Sequence, residues 1–394
     1  MDFESISSSI DEILNTFFSD KDQSVSKINK EVAEPHIRFK RDDLIRMIQL
    51  SASIINLKST QVVPKSITIV CEDNNYKMIA NNDLEYIEYK FNVLNEENRL
   101  VDTICLPIEL IKSMGKMFDD EIIIFKSENS YFVRLLLEGD LYLELPRPEP
   151  ALLRRPFDDI VKEDIEFVSQ THLLDALKAL IPIVNDEVVL DRKKITFLKD
   201  RAYFMTRKFF MDYILPLPSM KISLRFADVL KRMILSYNSS KSVAFYKDVS
   251  SESRVVVICG DILFSSTVTR TPQETNKAVE YLDRVKALKH LVVDLKDIDR
   301  VVSIACNLPY SNREIELKYD KVLTINVSMK TRTTGFKVPC TEVGKVKSRS
   351  DIVISAENLK KLIDSFGGSG SASLVILDNC IVIGKGNLLG VLEI

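Results

Sequence analysis

DIVISAENLKKLIDSF (351–366) reads as a short strand that runs straight into a helix. Ser355 can offer its side-chain oxygen to the first free N–H groups of a helix that opens at Ala356. Leu359, Leu362, Ile363 and Phe366 then share one helical face, while Lys360 and Lys361 lie off that stripe. GGSGS (367–371) ends the helix, because glycine supplies the positive φ that a helix terminus uses. Three apolar strands follow, SLVILDN (373–379), CIVIGKG (380–386) and LLGVLEI (388–394). The unit is thus a strand, an amphipathic helix and a set of antiparallel strands.

Working outward, the same layout recurs about six times. It opens at IRFKRDDLIRMIQLSASI, where Leu44, Ile45, Ile48 and Leu50 are the apolar helix positions, and again at TICLPIELIKSMGKMF. It returns in EDIEFVSQTHLLDALKALIPIV, MKISLRFADVLKRMILSY and KHLVVDLKDIDRVVSIACNL before the closing stretch. Strand starts at Ile37, Ile104, Ile165, Ile222, Leu291 and Ile352 are roughly 57 to 69 residues apart. Proline-rich or polar joins fall after every second unit, at PRPEPALLRRPFDD (146–159) and TRTPQETNKAVEYLDRVKALK (269–289). The expectation is an α+β protein with an N-terminal extension over 1–34 and domains over 35–150, 160–275 and 288–394, each made of two similar β-α-β-β-β halves.

Composition narrows the function classes. The 394 residues are 45% hydrophobic and 28% charged, ordinary for a globular chain. No apolar run approaches the roughly 20 residues of a membrane span. No basic region precedes an apolar core at the N-terminus, which points away from a secretory signal. The six cysteines form no C-x-x-C pair and sit in apolar runs, as reduced core thiols in a cytoplasmic compartment would. A net charge of −3 argues against indiscriminate coating of nucleic acid but leaves room for one positive surface.

Catalytic and metal motifs are missing. His36, His172 and His290 are not paired at ligand spacing, and no nucleophile elbow, phosphate-binding loop or dinucleotide fingerprint occurs. The only glycine-rich loop follows a helix, so it cannot present helix N–H groups to a phosphate. Asp42-Asp43 and Asp119-Asp120 fit helix starts or turns. An enzyme reading would rest on Cys105 or Cys306 as nucleophile, with no histidine in a recognisable motif beside either.

The helices say more. Each carries cations off its apolar stripe: Arg46, Lys112 and Lys116, Lys178, Lys231 and Arg232, Lys296 and Arg300, Lys360 and Lys361. Any one of these is what a solvated helix face ordinarily holds. Their recurrence on equivalent elements would make a continuous positive lining if the repeats close with all helices on one side, suited to duplex phosphates and blind to base sequence. Arg46, Lys112, Lys116, Lys178, Lys231, Arg232, Arg300, Lys360 and Lys361 are therefore the candidate DNA contacts.

At this point the chain resembles bacterial-type DNA polymerase sliding clamps, the β subunits of replicative polymerases, over about 35–394. The residues that carry the resemblance are Ala80-Asn81-Asn82-Asp83-Leu84-Glu85, like the family's A-T-D-L-E stretch, then CLPIELIKSM, FSSTVTR and ISAENLKKLIDSF with SLVILDN, in the family's order. The resemblance implies three clamp domains per chain, with sheets outside and helices lining a central hole. It implies a head-to-tail homodimeric ring, closed by edge strands of the first and third domains. Its partners would be double-stranded DNA held without sequence preference, a DNA polymerase and an ATP-driven clamp loader. Neither a cofactor nor catalytic residues are implied, and the setting is the cytoplasm, at the nucleoid or at a viral replication site.

The family's partner-peptide pocket maps by order onto Leu190, Thr206, Met211, Pro272, Val391 and Leu392, apolar but for Thr206, as a peptide anchor site requires. The family's D-G-H-R-L is Arg207-Lys208-Phe209-Phe210-Met211 here, and its M-P-M-R-L end is Gly390-Val391-Leu392-Glu393-Ile394, with the penultimate charge reversed. These departures fit a divergent clamp, a viral one among the readings left open. In the extension, Asp11 to Phe18 spaces Leu14, Phe17 and Phe18 like a clamp-binding peptide without its glutamine, or like an amphipathic helix. The alternative function is a clamp-fold scaffold that recruits transcription or repair proteins without encircling DNA.

Overall fold

The computed structural model describes residues 35–52, 54–55, 65–72, 75–82, 84–95, 97–109, 111, 120–127, 129–135, 141–145, 165–187, 193–206, 208–237, 242–247, 254–269, 290–308, 311–329, 332–344 and 350–393. The extension over 1–34, both interdomain joins and most of the helix expected after Ile108 lie outside them. The described residues form a mixed α+β protein in two compact units, one drawn from 1–159 and 256–266, the other from 160–255 and 267–394.

In the first unit, β1 (His36–Lys40) leads into α1 (Arg41–Ser51). An antiparallel meander of β2 (Ser66–Glu72), β3 (Asn75–Asn81) and β4 (Glu85–Phe91) follows. Then come β5 (Ile104–Pro107) and a second meander, β6 (Glu121–Ser127), β7 (Ser130–Leu135) and β8 (Leu141–Leu145). The leading strands are exchanged: β5 pairs with β2 of the first meander, and β1 pairs with β6 of the second. Two repeats therefore interlock, and neither completes a sheet alone.

The second unit repeats the exchange. β9 (Ile165–Ser169) and α2 (Gln170–Asn185) precede the meander β10 (Lys194–Leu198), β11 (Arg201–Met205) and β12 (Phe209–Ile214). β13 (Met220–Ser223) and α3 (Leu224–Ser236) precede β14 (Ser242–Lys247); β15 (Arg254–Cys259) and β16 (Ile262–Thr267) come next along the chain, and 256–266 of them belong to the first unit. Here β13 pairs with β10, and β9 with β14. β17 (His290–Asp294) and α4 (Leu295–Asn307) precede β18 (Ser311–Tyr319), β19 (Leu323–Met329), β20 (Arg332–Val338) and a short β21 (Cys340–Val343). β22 (Ser350–Ser355) and α5 (Ala356–Ser365) precede β23 (Ser371–Ile376), β24 (Cys380–Lys385) and β25 (Leu388–Glu393). β22 pairs with β18, and β17 with β23.

Meanders also join at their last strands. β4 pairs antiparallel with β16 in the first unit, and β12 with β25 in the second. The last strands of the two remaining meanders, β8 and β20, end four-stranded sheets among the described residues.

Local chemistry explains the elements. Ser355 Oγ accepts from Asn358 N at 3.3 Å, Ser223 Oγ from Phe226 N at 3.1 Å and Asp294 Oδ1 from Lys296 N at 2.9 Å, each capping its helix. After α5, Gly368 N donates to Ile363 O and Gly367 N to Asp364 O, with φ of 64° and 82°, the paired closure that needs glycine. In α1 the buried stripe is Leu44, Met47 and Leu50: Leu44 and Leu50 pack as expected, while Met47 joins them and Ile45 is 37% exposed. All six cysteines are free thiols.

Candidate functional site

Four helices of the second unit lie side by side in the order α3, α2, α5, α4. Each turns its apolar stripe to the sheets: Leu173, Leu177 and Leu180 from α2, Phe226, Leu230 and Met233 from α3, Ile298 and Val302 from α4, Leu359, Leu362 and Ile363 from α5. Their other faces hold the charge. These four helices carry eight Lys and Arg against six Asp and Glu, a net of +2 where the whole chain is −3. The row is positive, but the excess is small because carboxylates are interleaved.

The predicted cations fare differently. Lys178 and Arg300 are exposed, and Lys231 is half-buried. Arg232 pairs with Asp228 one turn back on α3, at 2.7 Å. Lys361 reaches across to Asp186, just past the end of α2, at 2.7 Å. Lys360 bridges to Asp299 on α4 at 3.1 Å and also donates to Asp364 on its own helix. Partial burial alone would lower the Lys360 pKa, but the hydrogen bonds to Asp364 and Asp299 outweigh it and hold the ammonium above its usual value. In the first unit, Arg46 is half-buried: its Nη1 donates to Tyr89 Oη at 2.9 Å and its guanidinium lies 5.5 Å from that ring's centre. Tyr89 in turn donates to Asp43 at 2.5 Å, and burial followed by that bond pushes its pKa upward. Lys112 and Lys116 lie outside the described residues.

The four described residues of the predicted peptide pocket do not share one sheet face. Leu190 and Pro272 lie outside the described residues. Thr206 shapes the β11–β12 turn, its hydroxyl accepting from Phe209 N at 2.9 Å and Lys208 N at 3.2 Å. Met211 stands opposite Gly390 and Phe209 opposite Leu392, so Met211 and Leu392 share one sheet face, while Val391, opposite Phe210, points to the other. Met211 is fully buried beneath α5 and is core. Val391 joins an apolar cluster with Tyr203, Phe210, Cys380 and Val382, in which the Tyr203 and Phe210 rings stack at 5.9 Å. Burial raises the Tyr203 pKa.

At the chain end a cleft of about 180 Å³ is floored by Ile354, Val353 and Leu392 and rimmed by Lys208, Glu314, Ser355, Asn358 and Glu393. It has room for one or two side chains, not for a cofactor. Val353, 51% exposed, is its most accessible apolar group. Phe210 and Val353 escaped the sequence reading because apolar strand residues look alike until the paired strand assigns them a face.

Burial, with Glu357 next, raises the Cys306 pKa, and burial raises that of Cys259 to about 11, which disfavours the thiolate at both. Cys105 is buried with its sulfur 3.5 Å from the Thr68 hydroxyl. Among the described residues no cluster of three or more His, Cys, Asp or Glu could hold a metal, and no helix is long and apolar enough to cross a membrane.

No protein-family model and no curated protein matches the sequence. Solved structures do match the fold. The DnaN sliding clamp (DNA polymerase III subunit beta) of Pseudomonas aeruginosa, bound to griselimycin, superposes with a TM-score of 0.71 at 12% identity, covering 92% of this chain and 99% of its own. The DnaN sliding clamp of Bartonella birtlesii, also bound to griselimycin, gives 0.69 at 15% identity, with 91% and 99% covered. The DNA polymerase III beta subunit of Thermotoga maritima gives 0.68 at 11% identity, with 91% and 98% covered. The chain has the bacterial sliding-clamp fold.

Proposed function

We propose that this chain is a DNA sliding clamp, a ring of two copies joined head to tail that encircles duplex DNA and tethers a DNA polymerase. The observation that carries the reading is a pair of meander edges that no strand among the described residues covers. Inside the chain, last strands of meanders meet antiparallel twice, as β4 with β16 and β12 with β25. Among the described residues, β8 and β20 are the two last strands left at sheet ends, and on this reading a second copy supplies the partner to each. Charge is complementary: Glu144 is exposed on β8, and Arg332 and Lys337 on β20. On this reading, residues 35–150, 160–275 and 288–394 are three clamp domains, and the helices face the duplex. An ATP-driven loader opens the ring, and the work is done in the cytoplasm, at a nucleoid or a viral replication site. The clamp contributes no chemistry of its own.

Partner peptides dock in the cleft at the end of β25, where the exposed Val353 beside Leu392 offers an anchor for a short apolar side chain. The small positive excess on the helix row favours a second reading, a clamp-fold scaffold that does not encircle DNA. Solution mass separates the two. The ring predicts twice the chain mass, and a monomer for Arg332→Glu/Lys337→Glu that Glu144→Lys partly restores. A wild-type monomer at micromolar concentration contradicts the ring.

A further inference from the structure

The two lysines of α5 are each engaged by carboxylates. Lys361 Nζ is 2.7 Å from Asp186 Oδ2 beyond α2, and Lys360 Nζ is 3.1 Å from Asp299 Oδ1 on α4 and bonded to Asp364. The group of five side chains holds two positive and three negative charges, so the middle of the helix row is locally net negative by one. Lys361 and Asp186 are each nearly half exposed, and Lys360 and Asp299 more than a quarter, so these pairs are weak enough for a phosphate to compete for either lysine. A cation that must leave a carboxylate to meet a phosphate releases little net counterion, because the displaced carboxylate stays beside the phosphate and repels it.

We propose that Asp186, Asp299 and Asp364 act as resident phosphate substitutes that hold Lys361 and Lys360 and so keep the helix row's grip on duplex DNA weak and shallow in its salt dependence. The proposal rests on the clamp reading and adds which cations of that surface grip the duplex. Lys178, Lys231 and Arg300 provide the contact, while Lys360 and Lys361 are kept in reserve. A duplex held this lightly slides.

The experiment is a salt titration of a fluorescent duplex of about 40 base pairs, read by anisotropy, with the full chain. Asp186→Asn/Asp299→Asn/Asp364→Asn binds several-fold tighter at low salt, and its log K against log salt slope steepens by about 1 to 2, since each phosphate newly neutralised adds about 0.9. Adding Lys360→Gln and Lys361→Gln to that variant returns both quantities to wild type. If the carboxylates only brace the helices, the Asn variants unfold at lower denaturant while affinity and slope stay put, and the proposal is overturned. In that event, weaker binding by Lys178→Ala/Arg300→Ala in the same titration leaves the clamp reading standing. Duplex binding by none of the chains, Asn variants included, overturns the proposal, while the clamp reading is then decided by retention on circular DNA.

Discussion

Gly390 on β25 faces Met211 on β12, and a Cβ added at Gly390 would stand 2.8 Å from the Met211 sulfur, 2.6 Å from Leu362 Cδ1 and 3.0 Å from Phe366 Cε2. Glycine is there to let α5 close onto the sheet, since its backbone is not in the left-handed region. Gly390→Ala therefore costs about 1–3 kcal/mol by overpacking, read as a lower urea midpoint. Met211→Ala, costly in itself because it empties a buried site, should cost less on that background than on the wild type, since it vacates one of the three contacts, whereas an unchanged midpoint in Gly390→Ala would mean that α5 is not seated so closely.

Tyr319 donates its hydroxyl to Glu342, and that bond, followed by burial, raises its pKa from 10.0 to about 12. The folded state thus keeps a proton that the unfolded state has lost, so stability present below pH 10 declines as pH rises through about 12. Tyr319→Phe removes its share of this decline. Unfolding midpoints measured between pH 9 and 12 should fall less steeply for the variant than for wild type, and parallel curves would refute the assignment.

The predicted DNA contacts divide into two kinds. Lys178→Ala or Arg300→Ala should weaken duplex binding alike for all sequences and lower the salt slope by about 1 each. Arg46→Ala should leave the slope nearly unchanged and destabilise the first unit by about 1 kcal/mol or more, because Tyr89 loses its cationic partner. Salt titration and urea unfolding of the same three variants check both halves.

Val353 is exposed at the mouth of the cleft, so Val353→Asp should change stability by no more than about 0.5 kcal/mol. A peptide of residues 11–18, with Leu14, Phe17 and Phe18, should bind the wild type and lose at least about tenfold on the variant, as a charge in an apolar anchor site demands. Equal affinity would place peptide docking elsewhere.

Much of this was legible from residue order. The stripe of α5, its Ser355 cap and the glycine closure after it follow from spacing and side-chain chemistry alone, because the interactions are local. What failed to show is non-local. LLGVLEI is apolar at almost every position, so only the pairing of Val391 with Phe210 and Gly390 with Met211 tells cluster from core. Lys360 and Lys361 stand off the apolar stripe, as read, yet whether they meet phosphates depends on Asp186 and Asp299, which other helices bring to them. In α1, Met47 packs and Ile45 does not, which a list of apolar positions cannot rank. The exchange of β1 with β5 is likewise invisible to a repeat, since both halves carry the same elements in the same order.

The central claim is that duplex DNA passes through a closed ring, and retention on nicked circular DNA tests it most directly. With a loader or host extract present, the chain should stay on the circle and be lost once the circle is cut, because only topology changes between the samples. Equal retention on circular and linear DNA would contradict encirclement and favour the scaffold.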